Sequence, residues 1–101
     1  MLWVIYYIAV PHAEQLRKKE LVEAHRVYLR SQKDILVLAA PMVRDDSSNF
    51  LGTMRVVHVN SRAEAEAFSD GDPFVKAGLF VSITITRARK GQWNPGAAEG
   101  A

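Results

Sequence analysis

Apolar residues recur along this chain with two periods, which together predict four strands and two helices. Strands are predicted where apolar and β-branched residues run together or alternate, over residues 2–10, 34–41, 51–59 and 79–87. A helix is predicted over residues 13–32, because apolar residues collect there on one side of a helical wheel. A second helix begins at Ser61, which forms the pattern of a capping box with Glu64, and is broken at Asp70 and Gly71.

The first and last strands differ in how their faces are expected to be covered. Residues 2–10 are apolar on both faces, which is typical of a central strand covered on both sides. Residues 79–87 alternate instead. The face expected to be buried carries Leu79, Val81, Ile83 and Ile85, and the other face carries Phe80, Ser82, Thr84 and Thr86.

The order strand–helix–strand–strand–helix–strand predicts a ferredoxin-like βαββαβ fold of the α+β class. We expect a four-stranded antiparallel sheet with both helices on one face. The other face then needs cover, and the simplest cover is a second copy of the chain, packed sheet against sheet as a homodimer. Residues 1–90 are predicted to form one domain, and residues 91–101, which are rich in Gly and Ala, a flexible C-terminal tail.

Composition and charge narrow the classes of function. The chain has 101 residues, of which 49% are hydrophobic, and a net charge of +2, which favours a globular domain without a nucleic-acid partner. Because cysteine is absent, disulfides and thiolate chemistry are excluded. The apolar start has neither the basic region of a signal peptide nor the length of a membrane span, so we expect a cytoplasmic protein with no membrane partner.

His25 is the first candidate for chemistry, because it lies on the apolar side of the helix predicted over residues 13–32. One interpretation is a core histidine bonded to a backbone carbonyl, since a buried imidazole needs partners for its nitrogens. The other is a general acid or base in a cavity between helix and sheet, since imidazole titrates near working pH. His12 and His58 are less promising; no two histidines have metal-ligand spacing, so no metal is expected.

Asp72 is the second candidate. It precedes Pro73 at the start of a short helix that Gly78 ends, so capping of that helix would by itself account for the aspartate. In the functional interpretation Asp72 orients His25, because a carboxylate beside a histidine fixes its tautomer and favours the imidazolium. The two carboxylate oxygens allow both roles. The chain has no phosphate loop, dinucleotide-binding motif or serine elbow, and no cofactor is expected.

Several segments together resemble the YciI-like (YCII-related) family of the dimeric α+β barrel group. They follow the family's order over residues 1–88, and the Asp-Pro-aromatic-Val-x-Ala-Gly run is the most specific of them. The matching segments are Met1-Leu2-Trp3-Val4-Ile5, Ala24-His25-Arg26-Val27-Tyr28-Leu29, Ala39-Ala40-Pro41-Met42, Gly52-Thr53 and Asp72-Pro73-Phe74-Val75-Lys76-Ala77-Gly78-Leu79-Phe80.

The resemblance implies a ferredoxin-like fold, a dimer, and a site in which a histidine of the first helix and the aspartate of the Asp-Pro run form a dyad. Those roles fall on His25 and Asp72 in this sequence. A few family members resemble dehydrochlorinases of chloroaromatic breakdown, and relatives with the same barrel include muconolactone isomerases. The chain departs from the family in having Ala40-Pro41 where Gly-Pro is usual.

Two functions that use the site of His25 and Asp72 remain open at the level of sequence, beside a third possibility, a purely structural protein whose sheet face meets another protein. The first is a cofactor-independent enzyme, similar to a lyase, a dehydrochlorinase or an isomerase, that uses His25 and Asp72 for acid/base chemistry on a small organic molecule. The second is a non-catalytic module that binds or senses a small ligand in the same cavity.

Overall fold

Four antiparallel strands form a single sheet with helices on one face in the computed structural model, which describes residues 1–101. The strands are β1 (Leu2–Ala9), β2 (Leu36–Val43), β3 (Phe50–His58) and β4 (Phe80–Ala88), in the spatial order β2-β3-β1-β4. The helices are α1 (Ala13–Leu16), α2 (Lys19–Ser31), α3 (Arg62–Asp70) and α4 (Pro73–Lys76), followed by a 3₁₀ helix at Pro95–Ala98. The predicted ferredoxin-like α+β fold is confirmed. None of the helices has the length and apolar character needed to cross a membrane.

The central strand β1 separates the core from an open face of the sheet. Trp3, Ile5 and Tyr7 point toward the helices and are buried with residues of β3 and α3. The alternate residues of β1 point to the other face, where the side chain of Tyr6 is 44% exposed. Residues 2–10 are therefore apolar on both faces, but the chain itself covers only one of them.

Strand β4 contains a β-bulge that the alternation of its sequence does not show. Ile8 pairs with Ser82 and Ala9 pairs with Phe80, so that Val81 has no partner across the ladder. A bulge moves every residue beyond it to the opposite face. As a result, Phe80 packs against Tyr7 with ring centroids 4.8 Å apart, while Val81 is 67% exposed. The expectation that Val81 is buried and Phe80 lies on the polar face is wrong.

The helix predicted over residues 13–32 is interrupted. Helix α1 ends at Leu16, and Lys18, with φ −71° and ψ 155°, is extended before α2 begins. At the break the guanidinium of Arg17 lies over the ring of Phe50, 4.2 Å from its centroid. The break therefore places a cation at the edge of the sheet, where an unbroken helix was expected.

The caps of the last two helices follow the sequence signals. Ser61 Oγ accepts a hydrogen bond of 3.2 Å from the Glu64 amide, and the Glu64 carboxylate accepts one of 2.9 Å from the Asn60 amide. Asp72 caps α4, and Gly78 adopts φ 75° after that helix ends. Because only glycine adopts such a φ without strain, Gly78 sets the turn into β4.

Candidate active site

His25 and Asp72 lie together, although 47 positions separate them in the chain. Helix α2 packs against α4, and His25 Nδ1 lies 2.8 Å from Asp72 Oδ1. The side chain of Asp72 is fully buried, whereas that of His25 is 14% exposed. The structure thus brings the two predicted site residues into direct contact, with the histidine on the solvent side of the pair.

Phe74 holds both members of this pair. Its ring stacks on the imidazole of His25 with centroids 3.8 Å apart and planes 5° from parallel. Its backbone amide donates a hydrogen bond of 2.9 Å to Asp72 Oδ1, the same oxygen that faces His25. Asp72 is therefore both the cap of α4 and the partner of His25. Phe74 fixes the plane of the imidazole through its ring and the position of the carboxylate through its backbone amide.

Arg55 on β3 completes a buried polar network that the sequence analysis missed. Its side chain is 1% exposed, and its Nη1 lies 2.6 Å from Asp72 Oδ2. The same nitrogen donates to the hydroxyl of Tyr7 at 3.3 Å, and the guanidinium carbon lies 4.3 Å from the centroid of the Tyr7 ring. Tyr7 in turn donates to Ser69 Oγ at 3.0 Å. A chain of contacts therefore runs from α2 through the sheet to α3.

One sequence signal could have found Arg55. Thr53, Arg55 and Val57 share the face of β3 that points toward the helices, so the alternation of the strand places a charged residue in the core. A lone charge on a strand is usually exposed, because burying it unpaired is costly. Only the fold shows that Asp72 supplies the compensating charge.

The environment of Asp72 favours its ionised form. Burial by itself raises the pKa of Asp72, but the hydrogen bond from His25, the charge of Arg55 and the Phe74 amide outweigh burial and hold that pKa below its usual value. Burial also raises the pKa of Tyr7, against the opposing charge of Arg55, so its phenol stays protonated. An ionised carboxylate only accepts hydrogen bonds, so the proton between Asp72 and His25 belongs to Nδ1.

The second ring nitrogen of His25, Nε2, makes no hydrogen bond within the protein, and His25 lines a pocket of about 120 Å³. The pocket lies between α2, α4 and the sheet. Arg17, Arg26 and Arg55 supply further polar lining, and Phe50 and Phe74 supply aromatic walls. Its volume is close to the roughly 150 Å³ of a cavity that holds a single benzene ring.

A larger hollow of about 760 Å³ lies on the open face of the sheet, away from this pair. It is bounded by Leu38, Val56 and His58 of the sheet and by Trp93 of the C-terminal segment, and His25 does not line it. His12 and His58 are both exposed. No three histidine, aspartate or glutamate side chains cluster as a metal site requires. The histidine–carboxylate pair therefore makes the smaller pocket the candidate site.

The fold and site define a class of protein: a ferredoxin-like α+β domain in which a histidine lines a pocket between helix and sheet and is paired with a buried carboxylate. The chain matches the YCII-related domain over residues 1–89 and belongs to the YCII-related family. Protein YciI of Escherichia coli O6:H1 and Protein YciI of Shigella flexneri are each 33% identical to it over 98 residues, covering 89% of this chain and 98% of each relative.

A solved structure resembles the chain over nearly its whole length. This is the 5-chloro-2-hydroxyhydroquinone dehydrochlorinase TftG of Burkholderia phenoliruptrix AC1100, in complex with 2,5-dihydroxybenzoquinone. Its TM-score is 0.80 at 29% sequence identity, and the match covers 90% of this chain and 96% of that chain. A protein of the same fold and related sequence is thus an enzyme with a small-molecule ligand.

Proposed function

We propose that this protein is a cofactor-independent enzyme that performs acid/base chemistry on a small organic molecule, with His25 and Asp72 as its dyad. The observation that carries the proposal is the 2.8 Å contact between His25 Nδ1 and Asp72 Oδ1, which leaves Nε2 without a protein partner at the pocket. In this arrangement His25 is the group that exchanges the proton, and Asp72 orients it.

The chemistry follows from the two ring nitrogens. With the proton on Nδ1, the lone pair on Nε2 takes a proton from a carbon or a hydroxyl of the substrate. The negative charge of Asp72 stabilises the imidazolium that forms, and the ring then returns the proton. General acid/base catalysis of this kind contributes about 10²–10⁴-fold to a rate.

The class of reaction that we favour is elimination, as in a dehydrochlorinase. In such a step the substrate reacts as its keto tautomer, in which the chlorine-bearing carbon is sp³. Nε2 of His25 takes a proton from a hydroxyl or carbon conjugated with that carbon, the electrons left behind form a new double bond, and chloride leaves with the electrons of the carbon–chlorine bond. Support comes from the dehydrochlorinase TftG, and from the pocket of about 120 Å³, which suits one ring. An isomerase-like proton transfer on a lactone uses the same base and is the second reaction to test.

The test compares turnover by the wild type, His25→Gln and His12→Gln. The substrates are 5-chloro-2-hydroxyhydroquinone, followed by chloride release, and a muconolactone, followed by absorbance. We expect His25→Gln to lower kcat/KM by about 10²–10⁴-fold. His12→Gln is the matched control, since this exposed histidine lies outside the pocket, and its rate should equal that of the wild type. Equal rates for His25→Gln and the wild type, with both folded by circular dichroism, would contradict the proposal.

A non-catalytic ligand-binding or regulatory module remains the alternative. It is favoured by the fact that the Phe74 amide and Arg55 would hold Asp72 in place even without a reaction. The same proteins decide between the two. If the wild type binds 2,5-dihydroxybenzoquinone, His25→Gln weakens that binding, and neither substrate is turned over, the module is supported and the enzyme is not.

We also propose that the protein is a homodimer formed through the open face of the sheet. The support is an apolar surface on that face, where Tyr6, Val37 and Leu38 are each more than 40% exposed. A second copy packed on this face would remove these side chains from water, which is favourable in proportion to the apolar area buried. The cytoplasmic location stays a prediction from the sequence.

A further inference from the structure

We propose that the pocket beside His25 selects a one-ring aromatic molecule in its anionic form, with the charged oxygen received by arginine side chains. The proposal rests on the site of the proposed function and names the chemical class of its ligand. It concerns binding alone, so that it can fail while the catalytic proposal stands.

The charges around the pocket favour an anion. Three arginines line it, Arg17, Arg26 and Arg55, and no carboxylate does. Two carboxylates that do not line the pocket partly neutralise the charges of these arginines. Asp72 faces Arg55 at 2.6 Å, and Glu14 lies 3.6 Å from Arg17 Nη1. The three arginines exceed these two carboxylates by one positive charge, and a singly charged anionic ligand would balance it.

Two of these arginines retain donors with no acceptor. The Nε atoms of Arg17 and Arg55 are buried and make no hydrogen bond within the protein. The side chain of Arg55 is 1% exposed, so its unpaired donor lies deep beside the pocket. A buried N–H group without a partner is unfavourable, and native proteins seldom leave one without a reason. Ligand oxygens in the pocket would give these donors acceptors once the guanidinium groups turn toward the ligand.

The walls of the pocket favour a flat ring rather than a compact ion such as phosphate. Phe50 and Phe74 line it together with the apolar side chains of Val22 and Pro41. The guanidinium of Arg17 is already held over the Phe50 ring at 4.2 Å, so its donors are positioned before a ligand arrives. An aromatic anion would place its apolar ring face against these walls and its charged oxygen toward the arginines.

The experiment measures binding of benzoate and of benzamide, which have nearly the same shape but differ in charge. Both are titrated into the folded wild type at pH 7 by NMR, following the amide signals of His25 and Phe74. We expect benzoate to bind about tenfold or more tightly than benzamide, because charge-assisted hydrogen bonds are roughly twice as strong as neutral ones. Neither probe requires turnover.

Two variants show where the selectivity arises. Arg17→Met keeps an unbranched apolar stem beside Phe50 but removes the charge, and we expect it to lose most of the preference for benzoate. Arg30→Met is the matched control, because Arg30 is an exposed arginine of α2 outside the pocket. It should keep the preference. Equal affinity for the two probes, absence of binding by both, or an unchanged preference in Arg17→Met would each overturn the proposal.

Discussion

Asp72 accepts hydrogen bonds from the Phe74 amide and the His25 ring through one oxygen, and faces Arg55 through the other. Each partner favours the charged carboxylate, and together they outweigh the cost of its burial. The pKa of Asp72 is therefore lower in the folded chain than in the unfolded one. This difference links the stability of the fold to pH.

The sign of that link gives a prediction for acid unfolding. The stability that Asp72 contributes is present above its unfolded pKa, about 4, and is lost as pH falls through the lower pKa of the folded state. The substitution Asp72→Asn removes this pH-dependent contribution to stability. Urea unfolding between pH 6 and 3 should show a loss of stability in the wild type that exceeds the loss in Asp72→Asn by on the order of 1 kcal/mol. Identical losses would mean that the folded carboxyl is not favoured in its charged form.

At the level of single residues, part of this site could be predicted from the sequence. His25 was noticeable because a polar ring interrupts an apolar helix face, and Asp72 because it precedes Pro73. Both are local signals. Arg55 has no local signal of comparable strength, since its partner is supplied by a helix that follows two elements later. Arg17 lines the pocket only because the helix breaks beside it.

The corner between α3 and α4 positions Asp72, and it is packed directly against α2. Tyr28 of α2 donates from its hydroxyl to the carbonyl of Phe68 at 2.8 Å. A Cβ atom added at Gly71 would lie 2.4 Å from that hydroxyl oxygen, so only glycine fits at this corner. Close packing here sets the distance between the helix that carries His25 and the residue that follows Gly71.

Gly71→Ala should therefore be destabilising. The added methyl group must displace the Tyr28 ring or the corner, and overpacking of this kind costs about 1–3 kcal/mol. Gly91→Ala is the control, because a Cβ there meets nothing within 4 Å, and a change within about 0.5 kcal/mol is expected. Chemical denaturation of both variants provides the measurement. A Gly71→Ala protein as stable as Gly91→Ala would show that the corner is not tightly packed against α2.

Element order was predictable and element geometry was not. Four strands and two long helical segments follow from hydrophobic period and caps. The bulge at Val81 and the break at Lys18 do not, because neither position carries a glycine or proline to mark it. The flexible tail predicted for residues 91–101 stays a prediction, although Pro95–Ala98 forms a 3₁₀ helix.

The whole molecule leaves one face of its sheet without helices. Tyr6 lies on this face, as do the exposed Leu38 of β2 and the hollow beside Val56 and His58 of β3. A face so apolar in a chain of this size is typical of an interface. A pair of chains joined there would enclose both sheets between two layers of helices.

The proposed dimer predicts the mass in solution. Light scattering of the wild type should give twice the mass of the chain. Tyr6→Glu should shift the protein toward monomer, because pairing would bury the new carboxylate without a partner. Val27→Glu changes a valine of α2 that is 53% exposed and should leave the dimer intact. A monomeric wild type, or equal dissociation in both variants, would contradict the proposed interface.

The most direct test of the dyad is the position of the proton on the His25 ring, measured by two-bond proton–nitrogen correlation NMR in the absence of any ligand. An ionised Asp72 at 2.8 Å requires that the neutral ring carry its proton on Nδ1 and its lone pair on Nε2. In Asp72→Asn an amide can donate to Nδ1, which would transfer the proton to Nε2. A wild-type ring protonated on Nε2 would contradict the account, because the nitrogen at the pocket would then have no lone pair to accept a proton.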